Sequence, residues 1–375
     1  MTSDGGMNDW GNIFSIDTNG SGYKNLWNFN QANNSNGAEP EGDLILSGDK
    51  LYGMTTGGGI NDWGNIFSID TNGNGYKNLW NFNYAHDSNG GVPYGALTLL
   101  GGKLYGMTYI GGIYSDGNIF RIDTNGSRYK DLWDFHSAND SNGANPFGSL
   151  ILSGGKLYGM TTRGGINDDG NIFRIDTNGN GYKDLWNFNQ AHNSNGALPT
   201  ADLTLSGGKF YGMTSSGGIN DSGNIFSIDT NGSGYADLHD FNGINGEQPI
   251  GSLIISGSVL YGMTEFSGTK GDGVIFSLKE PGLGINDIPP TTASINVYPN
   301  PSNGVFTIEI RNYQLGITNR LEVYNILGEK VYSQHSTVNY PLSIDLSLQP
   351  NGVYLCRVIG ENNELIEESK LIIEK

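Results

Sequence analysis

Short apolar runs separated by turn residues recur along most of the chain. In one period the runs are Asp43-Leu-Ile-Leu-Ser47, Lys50-Leu-Tyr-Gly-Met-Thr55, Asn65-Ile-Phe-Ser-Ile-Asp70 and Tyr76-Lys-Asn-Leu-Trp-Asn-Phe82. Each has the length and the β-branched and aromatic content of a strand. The tetrapeptide Gly-Asn-Ile-Phe starts at Gly11, Gly64, Gly117, Gly170 and Gly223, a constant step of 53, and a variant copy starts at Gly273 after a step of 50. Tyr-Gly-Met-Thr starts at Tyr52, Tyr105, Tyr158, Tyr211 and Tyr261. A three-residue deletion, in which Asn242–Pro249 replaces the longer Asn189–Pro199 loop, explains the short last step.

Four short strands per ~50 residues is the period of a propeller blade. A single blade cannot bury its faces, so neighbours must stack around an axis. The rungs of a parallel β-helix are much shorter than 53 residues. The expected fold is therefore an all-β propeller of five four-stranded repeats and a sixth partial one. Composition agrees. Glycine supplies 59 of 375 residues, which argues against long helices, while 11% aromatic content argues against disorder. No run of 18 apolar residues is present, so no membrane-spanning helix is expected. Met1-Thr2 aligns with Met54-Thr55, and the Ile-Phe strand has six copies against five of the others. The surplus strand is either a clasp or a sign that upstream blades are missing. The lack of a signal peptide at Met1–Gly6 favours missing blades.

The stretch Lys50-Leu-Tyr-Gly-Met-Thr-Thr-Gly-Gly-Gly59, with Ile-Phe-Ser-Ile-Asp70 and Leu-Trp80 after it, resembles a kelch blade. Its LYG-x-T-x-x-GG and G-x-x-F elements more closely resemble the GloVer tandem repeats, over residues 1 to about 278. That resemblance implies a propeller and no particular activity.

Composition changes after residue 278. Residues 279–294 carry Pro281, Pro289 and Pro290 and read as a linker, and only five of the 59 glycines lie beyond Ile295. Alternating runs such as Phe306-Thr-Ile-Glu-Ile310 and Val353-Tyr-Leu-Cys-Arg-Val358 read as strands of a small immunoglobulin-like β-sandwich over 295–375. The motifs Val297-Tyr-Pro-Asn-Pro301 with Gly304, Val323-Tyr-Asn-Ile-Leu-Gly-Glu-Lys-Val331 and Leu348-Gln-Pro-Asn-Gly-Val-Tyr354 resemble the type A sorting domain of the type IX secretion system. Its carriers here are Tyr298, Pro299, Asn300, Pro301, Gly304, Gly328, Gly352 and Tyr354. The resemblance implies export across a bacterial outer membrane by the type IX machinery, then release or surface attachment. The family often ends in several lysines, whereas this chain ends Leu371-Ile-Ile-Glu-Lys375.

Net charge is −18, which repels phosphate backbones and argues against nucleic acid. The single cysteine, Cys356, rules out an internal disulfide. The turn Asp70-Thr-Asn-Gly-Asn-Gly75 and its equivalents at Asp17, Asp123, Asp176 and Asp229 fit the opening of an EF-hand-type calcium loop. Their twelfth positions lack the required Glu, and Asn-Gly between strands signals a hairpin, so the hairpin reading is preferred and no cofactor is expected.

Trp27, Trp80, Trp133 and Trp186 share one column and read as blade-to-blade core. Trp10 and Trp63 occur in only two copies of the loop before the Ile-Phe strand and are candidate stacking surfaces for sugars. Tyr109, Arg163 and Phe266, on the same variable loops, complete the candidate ligand-binding set. Neutral drift in solvent-facing loops gives a similar pattern. No H-E-x-x-H, G-x-S-x-G or P-loop is present. A propeller glycosidase drawing acids from different blades leaves no local motif, and for it His136 and Glu265 stand out. The expected protein is an exported, monomeric surface or secreted propeller that binds or displays, with polysaccharide or surface glycan as partner. A carbohydrate-active enzyme with an axial site is the second reading and a purely structural surface protein the third.

Overall fold

The computed structural model describes residues 1–31, 36–84, 89–138, 142–191, 195–268, 270–279, 294–311, 319–325, 329–336, 342–359 and 365–375, and all regular elements among them are strands. The chain divides into two compact units, Met1–Ile285 and Asn286–Lys375.

The first unit is a β-propeller. Its second sheet joins Ile45–Ser47, Lys50–Thr55, Asn65–Asp70 and Lys77–Asn81 antiparallel in chain order. Three further four-stranded sheets follow, within 98–134, 151–187 and 204–240. A two-stranded sheet, Asn12–Ser15 with Lys24–Asn28, precedes them; a three-stranded one, Glu247–Ser256, Val259–Phe266 and Val274–Lys279, follows. The sixth Ile-Phe strand thus pairs with its own neighbour and does not complete the first sheet.

Stacking of successive sheets makes the core. Tyr52, Met54 and Ile66 of one sheet pack with Leu97, Leu104, Phe120 and Ile122 of the next. Trp27, Trp80, Trp133 and Trp186 each stack face to face on a tyrosine of the following repeat, with centroids 4.1–4.3 Å apart. The last sheet presents this face to solvent: Met263 and Ile275 are 53% and 81% exposed, whereas Met213 and Ile225 are fully buried.

The glycine of Gly-Asn-Ile-Phe has a steric cause. Gly64 sits at φ 89°, and a Cβ there would lie 2.0 Å from the Thr55 carbonyl oxygen. At the equivalents Gly117 and Gly170 a Cβ would also lie 2.9 Å from the Cδ of the next repeat's Pro146 and Pro199.

The second unit has a three-stranded sheet (Ser294–Tyr298, Val305–Arg311, Leu342–Asp345) and a four-stranded one (Lys330–Ser336, Asn319–Asn325, Gly352–Ile359, Leu365–Ile373). They share one core, in which Phe306, Ile308 and Ile344 meet Leu321, Cys356 and Leu371.

Candidate functional site

A proline recurs at one column, as Pro40, Pro93, Pro146, Pro199 and Pro249; the first four precede the first strand of their four-stranded sheets, and Pro249 lies within Glu247–Ser256. The residue before it lies in the left-handed region, Glu39 at φ 56°, Val92 at 55°, Asn145 at 55°, Leu198 at 54° and Gln248 at 51°. For Val92, β-branched, this conformation costs on the order of 1–3 kcal/mol. Hydrogen bonds on both sides enforce it: the Val92 N–H donates to the Trp63 carbonyl at 3.0 Å, and the Val92 carbonyl accepts from the Tyr109 N–H at 3.2 Å. The loop is stitched between two successive blades, which aims the residues after the proline at the axis.

There the inner segments abut. A Cβ on Gly42 would meet Gly95 backbone, one on Gly95 would meet Gly148, and one on Gly148 would meet Ala201. The Ala96 N–H donates to Ser149 Oγ at 2.8 Å, and the Ser149 N–H donates to Asp202 Oδ1 at 2.5 Å. Around this ring of segments lies an open cleft of about 790 Å³.

The position after the proline differs in every copy: Glu41, Tyr94, Phe147, Thr200 and Ile250. All five line the cleft, as do Asp43, Asp202 and Glu265. Tyr94 and Phe147 stack at 4.3 Å, and Tyr109 meets Tyr94 edge-on at 5.3 Å. Burial raises the Glu41 carboxyl above its ordinary pKa, and the charges of Asp4 and Glu39 add to the effect. The cleft thus combines an aromatic wall with carboxylates from several blades. That is a surface suited to a ligand with apolar faces and hydroxyl edges.

Among the residues picked from sequence, Tyr109 packs against this aromatic wall and Glu265 lines the cleft. Trp10 and Trp63 are half-buried, packed against the cores of successive sheets, and Trp63 also contacts Tyr84 at 5.2 Å. Arg163 is exposed and Phe266 is 46% exposed. His136 lies away from the axis, in a separate cleft beside Tyr114. Sequence reading passed over Glu41, Asp43, Tyr94, Phe147 and Asp202. The available signal was the variable position that follows the proline present in every complete copy.

The Asp-Thr-Asn-Gly turns close as hairpins, with the Gly73 N–H donating to the Asp70 carbonyl at 2.8 Å. Lys50, Lys103 and Lys209 hold the carboxylates of Asp70, Asp123 and Asp229 at 2.5–2.7 Å, and Lys156 holds Asp176 likewise. In the first copy Ser21 Oγ donates to the Asp17 carboxylate at 3.2 Å. Among the described residues no group of three or more His, Cys, Asp or Glu is placed to hold a metal ion.

In the second unit, Asn300 receives the Ile372 N–H at 2.8 Å and donates to the Lys370 carbonyl at 2.7 Å. The flanking bonds, Tyr298–Pro299 and Asn300–Pro301, are both cis. Gly304, at φ 117°, lies against the Ser347 backbone, and the buried Tyr354 donates its hydroxyl to the Pro350 carbonyl at 2.9 Å. Gly328 lies outside the described residues.

Several solved structures resemble the chain at low identity. A GH43B protein of a Bacteroides ovatus xyloglucan PUL is 12% identical, with TM-score 0.35, covering 88% of this chain and 89% of its own. An alpha-L-arabinofuranosidase from Clostridium thermocellum is 11% identical, with TM-score 0.34, covering 80% and 94%. The GH43 BlXynB protein from Bacillus licheniformis is 10% identical, with TM-score 0.33, covering 88% and 82%. No curated protein matches. Residues 296–374 match a secretion system C-terminal sorting domain, so the protein is one exported by the type IX route to the cell surface or medium. Residues 1–151 and 135–288 match the Gloeobacter/Verrucomicrobia repeat. These two stretches cover more than half of the sequence, and the chain belongs to the Gloeobacter/Verrucomicrobia repeat family.

Proposed function

We propose that the protein is an exported glycan-binding propeller whose axial cleft holds the saccharide. One observation carries this reading. On a scaffold whose repeats are nearly identical, the position aimed at the axis is different in every copy, Glu41, Tyr94, Phe147, Thr200 and Ile250. Tyr94 and Phe147 offer aromatic faces to the C–H side of a sugar ring, while Glu41, Asp43 and Asp202 accept its hydroxyls. A glycan-array screen of the intact chain, followed by calorimetry on the best ligand, tests the proposal. Replacing both Tyr94 and Phe147 by Ala should weaken binding at least about tenfold. Affinity unchanged in that variant, with the fold intact, would remove the axial cleft as the site.

A further inference from the structure

The third repeat departs from the others at two linked positions on its flank. In the first, second, fourth and fifth copies an asparagine (Asn8, Asn61, Asn167, Asn220) donates to the carbonyl of a core phenylalanine at 2.7–3.0 Å. In the third copy that position is Tyr114, which lacks the amide. The column that reads Asn30, Asn83, Asn189 and Asn242 elsewhere holds His136. The two new rings stack on each other, with centroids 3.9 Å apart and planes 20° from parallel, and Tyr114 remains 49% exposed. The local hydrogen bond has been exchanged for a flat aromatic platform.

Beside it a bulge shapes the neighbouring strand. Ile119 pairs with Trp133 and Phe120 with Asp131, so Leu132 is skipped and Asp131 and Asp134 come to the same side. In the first, second and fourth copies this pair is amide with amide or amide with acid: Asn25 donates to Asn28 at 2.9 Å, Asn78 to Asn81 at 2.8 Å and Asn187 to Asp184 at 2.5 Å. Here both members are carboxyls. Burial, and then the charge of Asp134, pushes Asp131 up to about 7, so below neutral pH the pair holds a proton and can both donate and accept. Platform and carboxyl pair line one cleft of about 750 Å³, which Lys183 and Asp184 of the fourth repeat also line.

We propose that this flank cleft is a second saccharide-binding site, in which Tyr114 stacks on a pyranose ring while Asp131, Asp134 and Lys183 take its hydroxyls. The fifth copy also has two carboxyls, Asp237 and Asp240, but keeps Asn220 and Asn242 where the third has its two rings. Only the third copy joins both features. The cleft shares no lining residue with the axial one, so its case stands whether or not the axial cleft binds.

The test is calorimetry of the intact chain against xylohexaose, cellohexaose, mannohexaose and maltohexaose, performed in a Tyr94→Ala background that weakens the axial cleft. Tyr114→Asn with His136→Asn restores the residues that the other complete copies carry and fold with. The expected result is a hexasaccharide that still binds Tyr94→Ala and loses about tenfold or more in affinity when the Asn pair is introduced. Binding unaffected by the Asn pair overturns the proposal, as does the absence of binding by any of the hexasaccharides in the Tyr94→Ala background. The axial reading fails separately, if parent and the Tyr94/Phe147 double variant bind alike.

Discussion

At the scale of single residues, the repeat survives because a few positions admit one side chain only. Gly64 is the clearest case, with positive φ and a carbonyl oxygen 2.0 Å from where a Cβ would go. Gly102 also has positive φ, 73°, but a Cβ there would meet nothing within 4 Å. Gly102→Ala should therefore cost only the left-handed backbone penalty, on the order of 1 kcal/mol. Gly64→Ala adds a clash that must move the Thr55 strand end, and should cost roughly 3 kcal/mol or more. Urea denaturation of the two variants checks this, and equal midpoints would refute it. The glycine itself was legible in the sequence through its strict recurrence. Its cause was not, because the partner carbonyl belongs to a strand nine residues earlier, and at Gly117 and Gly170 a second obstacle is a proline of the next repeat.

At the scale of elements, the Trp–Tyr stack is the joint between blades. Trp80 lies 4.1 Å from Tyr129 with rings 2° from parallel, and its indole N–H donates to Asn89 at 3.2 Å. The tryptophan column has one exception, His239, and it falls where the following sheet has three strands among the described residues and the sequence has no Tyr from 262 to 297. There His239 meets Asn245 at 2.9 Å and Phe241 edge-on instead. A residue whose identity follows the presence of its partner is acting as a joint. Trp80→Ala should cost about 3 kcal/mol, while His239→Ala should cost under about 1 kcal/mol. Hydrogen exchange should place the Trp80→Ala loss on the strands within 65–81 and 118–134, and uniform loss across all blades would contradict a local joint. Strand positions and this core column were readable from periodicity and turn chemistry. The axial and flank clefts were not, because each gathers residues from repeats 50 or more positions apart, and periodicity ranks invariant columns above variable ones.

At the scale of the whole molecule, the two units carry opposite responses to pH. In the propeller, burial and paired carboxyls raise Asp131 to about 7 and Asp237 to about 6, against roughly 3.9 in an unfolded chain. Between pH 4 and 7 the folded propeller therefore binds more protons than the unfolded one, and its stability falls as pH rises through that window. Lysine contacts lower Asp123 and Asp229, but these act only below the ordinary carboxylate range. In the second unit, the buried Glu322 accepts from Lys330 at 2.9 Å, from the Tyr324 hydroxyl and from Arg320 at 2.8 Å, which hold its carboxyl down to about 2. Its contribution is complete above roughly pH 4.3, the unfolded value, and is lost as pH falls toward 2. Each unit has its own core, so calorimetry of the intact chain should give two transitions. From pH 7 to pH 4 the propeller transition should move up while the other stays level; below pH 4 the second should fall. Asp131→Asn, the residue found at this column in the first two copies, should flatten the upper window by on the order of 1 kcal/mol, since the pair is half-exposed and screened. Glu322→Gln should remove the acid-side dependence of the second transition only. A single transition at every pH, or a Glu322→Gln effect on the propeller transition, would refute independent units.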